Sequence, residues 1–127
     1  MIGYVTLGTN DLEKAVAFYD QLFTTIGAER FLETEQFVAW STGMDQAGIS
    51  VTKPFDGKLA TVGNGSMVAI MLDSNDKVDA FYQKAIELGG SCEGKPGYRG
   101  EMSRFYAGYF RDLDGNKLNA FHMNISE

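Results

Sequence analysis

The chain has one cysteine, one histidine, one tryptophan and two prolines in 127 residues, and it is short of positive charge. Each scarcity excludes something. Cys92 alone cannot form an internal disulfide, so this is no stapled secreted scaffold. With His122 as the only histidine, a single chain cannot assemble a two-histidine, one-carboxylate metal triad. Seventeen acidic residues against 11 basic give a formal charge of -6. The basic residues are scattered singly, without the stripe that nucleic-acid binders present, so no nucleic-acid partner is expected. No apolar run approaches the roughly 20 residues needed to span a bilayer. The N-terminus enters a strand-like run with no basic or long apolar leader. A cytoplasmic protein with no membrane partner is the expectation.

What is present is a core. At 44% hydrophobic content and 127 residues, the chain is expected to form a single domain, residues 1–127. Residues 2–8 read as a strand and Asp11 to Ile26 as a helix, with Leu12, Ala15, Val16, Tyr19, Leu22 and Phe23 near helical spacing. Strand-like runs follow at 29–33, 36–41 and 47–52, then a glycine-containing loop from Pro54 to Gly65. The grammar then restarts: a strand over 66–72, and a helix over 74–88 carrying Val78, Phe81, Ala85 and Leu88 on one face. Gly89 and Gly90 stop that helix. A loop with Pro96 and Gly97, holding Cys92 near its start, leads into strands at 104–111 and 117–123.

The restart is an internal echo. At an offset of 63, Val5, Lys14, Ala17, Phe18, Tyr19 and Gly27 meet identical residues at 68, 77, 80, 81, 82 and 90. Asp11 and Ser74 stand at equivalent N-cap positions, each with a side-chain oxygen for free first-turn amides. The alternative is chance similarity of two amphipathic helices. Two copies of a strand–helix–strands unit, about 1–60 and 64–127, fill the chain. Side by side they would curve into a half-open mixed barrel, α+β in class, with a helix outside each βαβββ module. Val5, Leu7, Val68, Ile70 and Leu72 are expected under the helices. Tyr4, Thr6, Met67, Ala69 and Met71 are expected on the concave side.

"VTLGTNDLEKAVAFYDQLF", "GNGSMVAIML" and "YFRDLDGNKLNAF", set in this duplicated unit, resemble the vicinal oxygen chelate superfamily of glyoxalase I, bleomycin-resistance proteins and extradiol dioxygenases. The resemblance covers essentially the whole chain and implies fold more firmly than reaction. In metal-dependent members the concave face holds a divalent ion through His, His and Glu, from the first strand of each unit and the last strand. The matching positions here are Tyr4, Met67 and Asn119, with a further glyoxalase I position near Ser50. A phenol, a thioether and a neutral amide are poor donors for such an ion, so no cofactor or metal is expected.

The concave face then suits an apolar or aromatic small molecule oriented by a few polar groups. Its candidate lining is Tyr4, Thr6, Met67, Asn119 and Phe121, with Arg99 or Arg104 from "PGYRGEMSRF" meeting a ligand carboxylate. Trp40 and one face of "RFYAGYF" are further candidates. Plain core packing is the competing reading for the Met–aromatic cluster, and a solvated surface loop for 96–105. His122 points away from the Asn119 face and reads as a partly exposed structural or surface histidine, while Cys92 reads as an inert or simply exposed thiol. The lead expectation is a metal-free binding protein of the resistance or sequestration kind, a homodimer. The alternative is a glyoxalase-like lyase or dioxygenase with a non-standard site, using Glu101 or Tyr4 for acid–base chemistry. A retained scaffold subunit is a third.

Overall fold

The computed structural model describes residues 1–101 and 104–124. Along the chain run β1 (Tyr4–Gly8), α1 (Leu12–Thr24), β2 (Glu29–Glu33), β3 (Phe37–Ser41) and β4 (Gly48–Thr52). Then come β5 (Val68–Met71), α2 (Asn75–Glu87), β6 (Ser91–Tyr98), β7 (Phe105–Arg111) and β8 (Lys117–Met123). The chain divides into two compact units, Met1–Asn64 and Gly65–Glu127. Each holds one helix and a four-stranded mixed sheet, ordered β1-β4-β3-β2 in the first and β5-β8-β7-β6 in the second. The first strand of each unit pairs parallel with the last, and the other neighbours are antiparallel. The sequence echo is therefore an echo of topology, and neither sheet closes on itself.

The helices start where the caps predict. The Asp11 carboxylate accepts from the Lys14 N–H at 3.1 Å, and the Ser74 hydroxyl from the Lys77 N–H at 3.2 Å. Helix α2 ends at its glycines: the Gly89 N–H donates to the Ile86 carbonyl and the Gly90 N–H to the Ala85 carbonyl, at 3.1 and 2.9 Å. Gly89 takes a φ of 106°, which a side chain would oppose.

Each unit has its own aromatic core. In the first, Tyr19, Phe23 and Trp40 meet with ring centroids 5.1 to 5.8 Å apart. In the second, Val78, Phe81, Tyr82 and Ala85 of α2 pack on Phe110, Leu118 and Ala120, with Phe81 and Phe110 6.0 Å apart. The helices lie chiefly over the three later strands of their sheets. Val5, Leu7, Val68, Ile70 and Leu72, expected beneath the helices, are consequently only half-buried.

One element differs from the sequence reading. The stretch around Pro96 and Gly97 is strand β6, not a loop, and Cys92 lies within it opposite Phe110. Its ladder is broken between Cys92 and Gly94 and again between Gly94 and Gly97. An edge strand tolerates a proline and such breaks because one side owes no hydrogen bonds, which is why its composition reads as loop. The exposure expected of Cys92 is borne out. Among the described residues, no helix is long and apolar enough to cross a membrane.

Trp40 is anchored by charge. Asp20 Oδ1 accepts from Trp40 Nε1 and Arg30 Nε, both at 2.9 Å, and Asp20 Oδ2 pairs with Arg30 Nη2 at 2.5 Å. The hydrogen bonds from Arg30 hold the Asp20 carboxyl below the usual carboxylate range. A depressed folded pKa contributes stability above the ordinary carboxylate range and loses it as pH falls through the lowered value. Asp20→Asn is therefore expected to lower the urea midpoint near neutrality. The gap to the parent protein should narrow as the pH drops through and below the carboxylate range. A gap that stays constant with pH would contradict this assignment.

Candidate functional site

The β7–β8 turn sets the site. The buried Asp112 carboxylate accepts from the N–H groups of Asp114 and Asn116, both at 2.9 Å, and from Asn116 Nδ2 at 3.0 Å. Gly115, at a φ of 91°, closes the turn, and Arg111 Nη1 donates to its carbonyl at 2.8 Å. The hairpin then pairs Phe110 with Leu118, Tyr109 with Asn119, Gly108 with Ala120 and Ala107 with Phe121. Side chains alternate, so Leu118, Ala120 and His122 turn toward α2. Lys117, Asn119 and Phe121 turn to the opposite face, open in that α2 does not cover it, with Phe105, Ala107 and Tyr109 from β7 and Ala69 and Met71 from β5.

This division agrees with the sequence expectation. His122 is half-buried with Nδ1 3.1 Å from Asn75 Oδ1 at the start of α2, a structural position. Nearby, the Tyr106 hydroxyl donates to Asp79 at 2.6 Å, which pushes the phenol up to about 12 and keeps it neutral at physiological pH.

Asn119 is the unusual member of the open face. It is 1% exposed, yet its Oδ1 has no hydrogen-bond partner among the described residues. Its neighbours across the sheet are Ala69 and Tyr109, neither of which offers a side-chain hydrogen bond to it. Over the Tyr109 ring lie two cations, the Arg99 guanidinium at 5.2 Å from the centroid and Lys117 Nζ at 5.6 Å. Arg99 is tethered through Nη2, which donates to the Lys95 and Ala107 carbonyls, while its buried Nε has no partner among the described residues. Phe105 and Phe121 stack beside this group with centroids 5.1 Å apart.

Of the residues expected to line a pocket, Asn119, Phe121 and Arg99 belong to this open face. Met67 precedes β5 with the same parity as Ala69 and is 43% exposed. Arg104 is exposed at the foot of β7, its carbonyl accepting from the Asn124 N–H at 2.8 Å. Met102 and Ser103 of the 96–105 stretch lie outside the described residues. Tyr4 and Thr6 belong to the first unit, exposed on the face of β1 shared with buried Ser50. Trp40 is not a pocket residue: its indole is held in the α1 core by Asp20. Within 104–110, Tyr106, Gly108 and Phe110 face α2, which leaves Phe105, Ala107 and Tyr109 for the open side. Tyr109 and Lys117 were absent from the sequence-derived set. Lys117 was readable, because it shares the two-residue parity of Asn119 and Phe121. Tyr109 needed the hairpin register.

A separate groove of about 680 Å³ runs along α1, bounded by Asp11, Glu13, Ala17, Asp20, Arg30 and Lys53. It contains none of the expected residues. In it Asp20 and Arg30 pair with each other, and among the described residues it offers no unpaired buried group.

The residues that the sequence resemblance matches to metal positions do not, by their chemistry, suit a divalent cation. Tyr4, Met67 and Asn119 supply a phenol, a soft thioether and a neutral amide. Among the described residues no group of three His, Cys, Asp or Glu side chains could hold an ion.

Tandem βαβββ units, each with a four-stranded mixed sheet and the aspartate–glycine turn before its last strand in the second, define the glyoxalase-like class of proteins. The chain belongs to the Glyoxalase/Bleomycin resistance protein/Dioxygenase superfamily, whose family model matches residues 1–120. It is similar to a glyoxalase/bleomycin resistance protein from Albidiferax ferrireducens T118, at 35% identity and a TM-score of 0.87, covering 98% of this chain and 99% of that one. The fold also matches a family enzyme from Burkholderia phytofirmans PsJN, at 18% identity, TM-score 0.75, and 96% and 98% coverage. A lactoylglutathione lyase from Agrobacterium tumefaciens shares the fold at 22% identity, TM-score 0.69, with 96% and 92% coverage. No curated protein matches the chain.

An unpaired buried amide costs stability that an apolar side chain of similar shape would not. Asn119→Leu is expected to raise the unfolding free energy by about 1–3 kcal/mol, seen as a higher urea midpoint at unchanged slope. A destabilised variant would show that the amide is paired after all.

Proposed function

We propose that this protein binds a small organic molecule against the open face of its second sheet and has lost the metal centre of its superfamily. The observation that carries the reading is Asn119. At the position where metal-dependent members place a carboxylate stands a desolvated amide with an unpaired oxygen, between an aromatic ring and an alanine. A fold gains nothing from that group unless something else satisfies it. The stacked Phe105 and Phe121 rings and exposed Met71 supply the apolar surface that small-molecule sites use for affinity. On this reading Met67 and Arg104 complete the lining. The protein works as a cytoplasmic homodimer with no cofactor, and its activity is binding rather than lyase or dioxygenase turnover. Likeness to the lactoylglutathione lyase supports the fold alone.

Protein purified without a histidine tag should contain far less than one equivalent of Zn, Ni, Fe or Mn by element-specific analysis. A thermal-shift screen of neutral and charged aromatic compounds should find ligands that raise Tm. Stoichiometric metal would overturn the metal-free reading, and a screen in which no compound of any charge raises Tm would overturn the binding reading.

A further inference from the structure

We propose that the group formed by Arg99, Tyr109, Lys117 and Asn119 is a carboxylate-binding site, and that the ligand is an aromatic or otherwise apolar acid. This rests on the small-molecule reading above and specifies which chemical class it takes.

The argument begins with charge. The chain is acidic overall, yet among the described residues only four of its 11 basic residues are in ion pairs: Arg30 with Asp20 and Glu33, Arg111 with Glu93, Lys14 with Asp11 and Lys77 with Asp73. Arg99 and Lys117 are different. Both are half-buried, both lie over one aromatic ring, and neither has a carboxylate within ion-pair distance among the described residues. Two cations near one ring without an anion leave positive charge on this face that the ring offsets only in part. An incoming carboxylate neutralises it.

Hydrogen bonding points the same way. Arg99 Nη2 is committed to two backbone carbonyls, which fixes the guanidinium and leaves the buried Nε–H as a donor without an acceptor. Asn119 is equally unserved. An amide turned end for end presents Nδ2 where Oδ1 stood and becomes a donor. Arg99 Nε, Lys117 Nζ and Asn119 Nδ2 are then three donors carrying two positive charges, and a planar carboxylate accepts from all three. The Phe105–Phe121 stack borders the same face and accommodates an apolar body attached to the acid. An amine would meet two cations, and a neutral amide would leave their charge uncompensated.

The test uses phenylacetate, phenylacetamide and phenethylamine as a matched set, titrated into the full chain at neutral pH and low salt. The Asn119 side-chain amide signals are followed by NMR, and Tm by thermal shift. Phenylacetate is expected to move the Asn119 signals saturably, and its affinity should fall about tenfold in Lys117→Gln and recover in Lys117→Arg. The amide and the amine should leave those signals in place. Lys117 is the residue to substitute because Arg99 also holds backbone carbonyls together. Unmoved Asn119 signals, equal binding of all three compounds, or undiminished affinity in Lys117→Gln would each overturn the proposal. Tm increases confined to neutral or cationic compounds would sink the carboxylate site while leaving the binding reading in place. If no compound raises Tm, both fail.

Discussion

The second unit depends on the three hydrogen bonds that the buried Asp112 carboxylate accepts from the turn it begins. They fix where β7 ends and β8 starts, and so which residues pair across the hairpin. A sheet has a side-chain period of two, so a slip of one residue would exchange its faces. Leu118 and Ala120 would leave the α2 core, and Asn119 would enter it. The fully buried Phe81, Phe110 and Leu118 favour the observed register from the core side, and the turn favours it from the end. Two independent constraints thus agree on a single face for position 119.

That agreement explains why so much was legible. Asp112, Gly115 and Asn116 are turn residues whose roles follow from their own chemistry, and parity along β8 needs no tertiary information. The helix caps at Asp11 and Ser74, 63 residues apart, are local too, and so is the glycine stop after α2. The failures lie where local composition and tertiary position disagree. Strand β6 carries Gly94, Pro96 and Gly97, residues that signal a loop, and it is a strand because it needs hydrogen bonds on one side only. Trp40 reads equally well as core or pocket until Asp20 is seen to accept its indole N–H. The meeting of Arg99 with Tyr109 and Lys117 depends on that same irregular edge strand, so the cationic group was invisible while its scaffold was read as a loop.

Duplication frames the comparison between the halves. Both units place a helix over three strands and start the sheet with a strand parallel to the last, and both carry an aromatic pair at the same helical position, Phe18-Tyr19 and Phe81-Tyr82. Their polar investments differ. The first unit places a carboxylate, Asp20, against its tryptophan and a guanidinium, so its charge is satisfied internally. Among the described residues, the second leaves an amide oxygen and a guanidinium N–H unsatisfied. Identical topology with unlike satisfaction is what the proposed binding reading accounts for.

The sign of the energetic trade supports this. Net stability of a domain is only about 5–15 kcal/mol, so a penalty of about 1–3 kcal/mol for one unpaired amide is a sizeable share of it. A leucine at 119 would remove that penalty while keeping β-sheet alternation, the Asp112 turn and the α2 core untouched, since none of them uses the amide. A carboxylate there would be a buried charge, with Arg99 and Lys117 as the cations on its face. The amide lies between these outcomes: on the proposed reading it is polar enough to hold a ligand in one orientation and neutral enough to be buried when none is bound. Beside two cations it also avoids forming the internal salt bridge that an aspartate or glutamate would make, which would occupy Arg99 and Lys117 permanently. On the proposed reading, neutrality at position 119 is what leaves the positive charge of this face available to an acidic ligand.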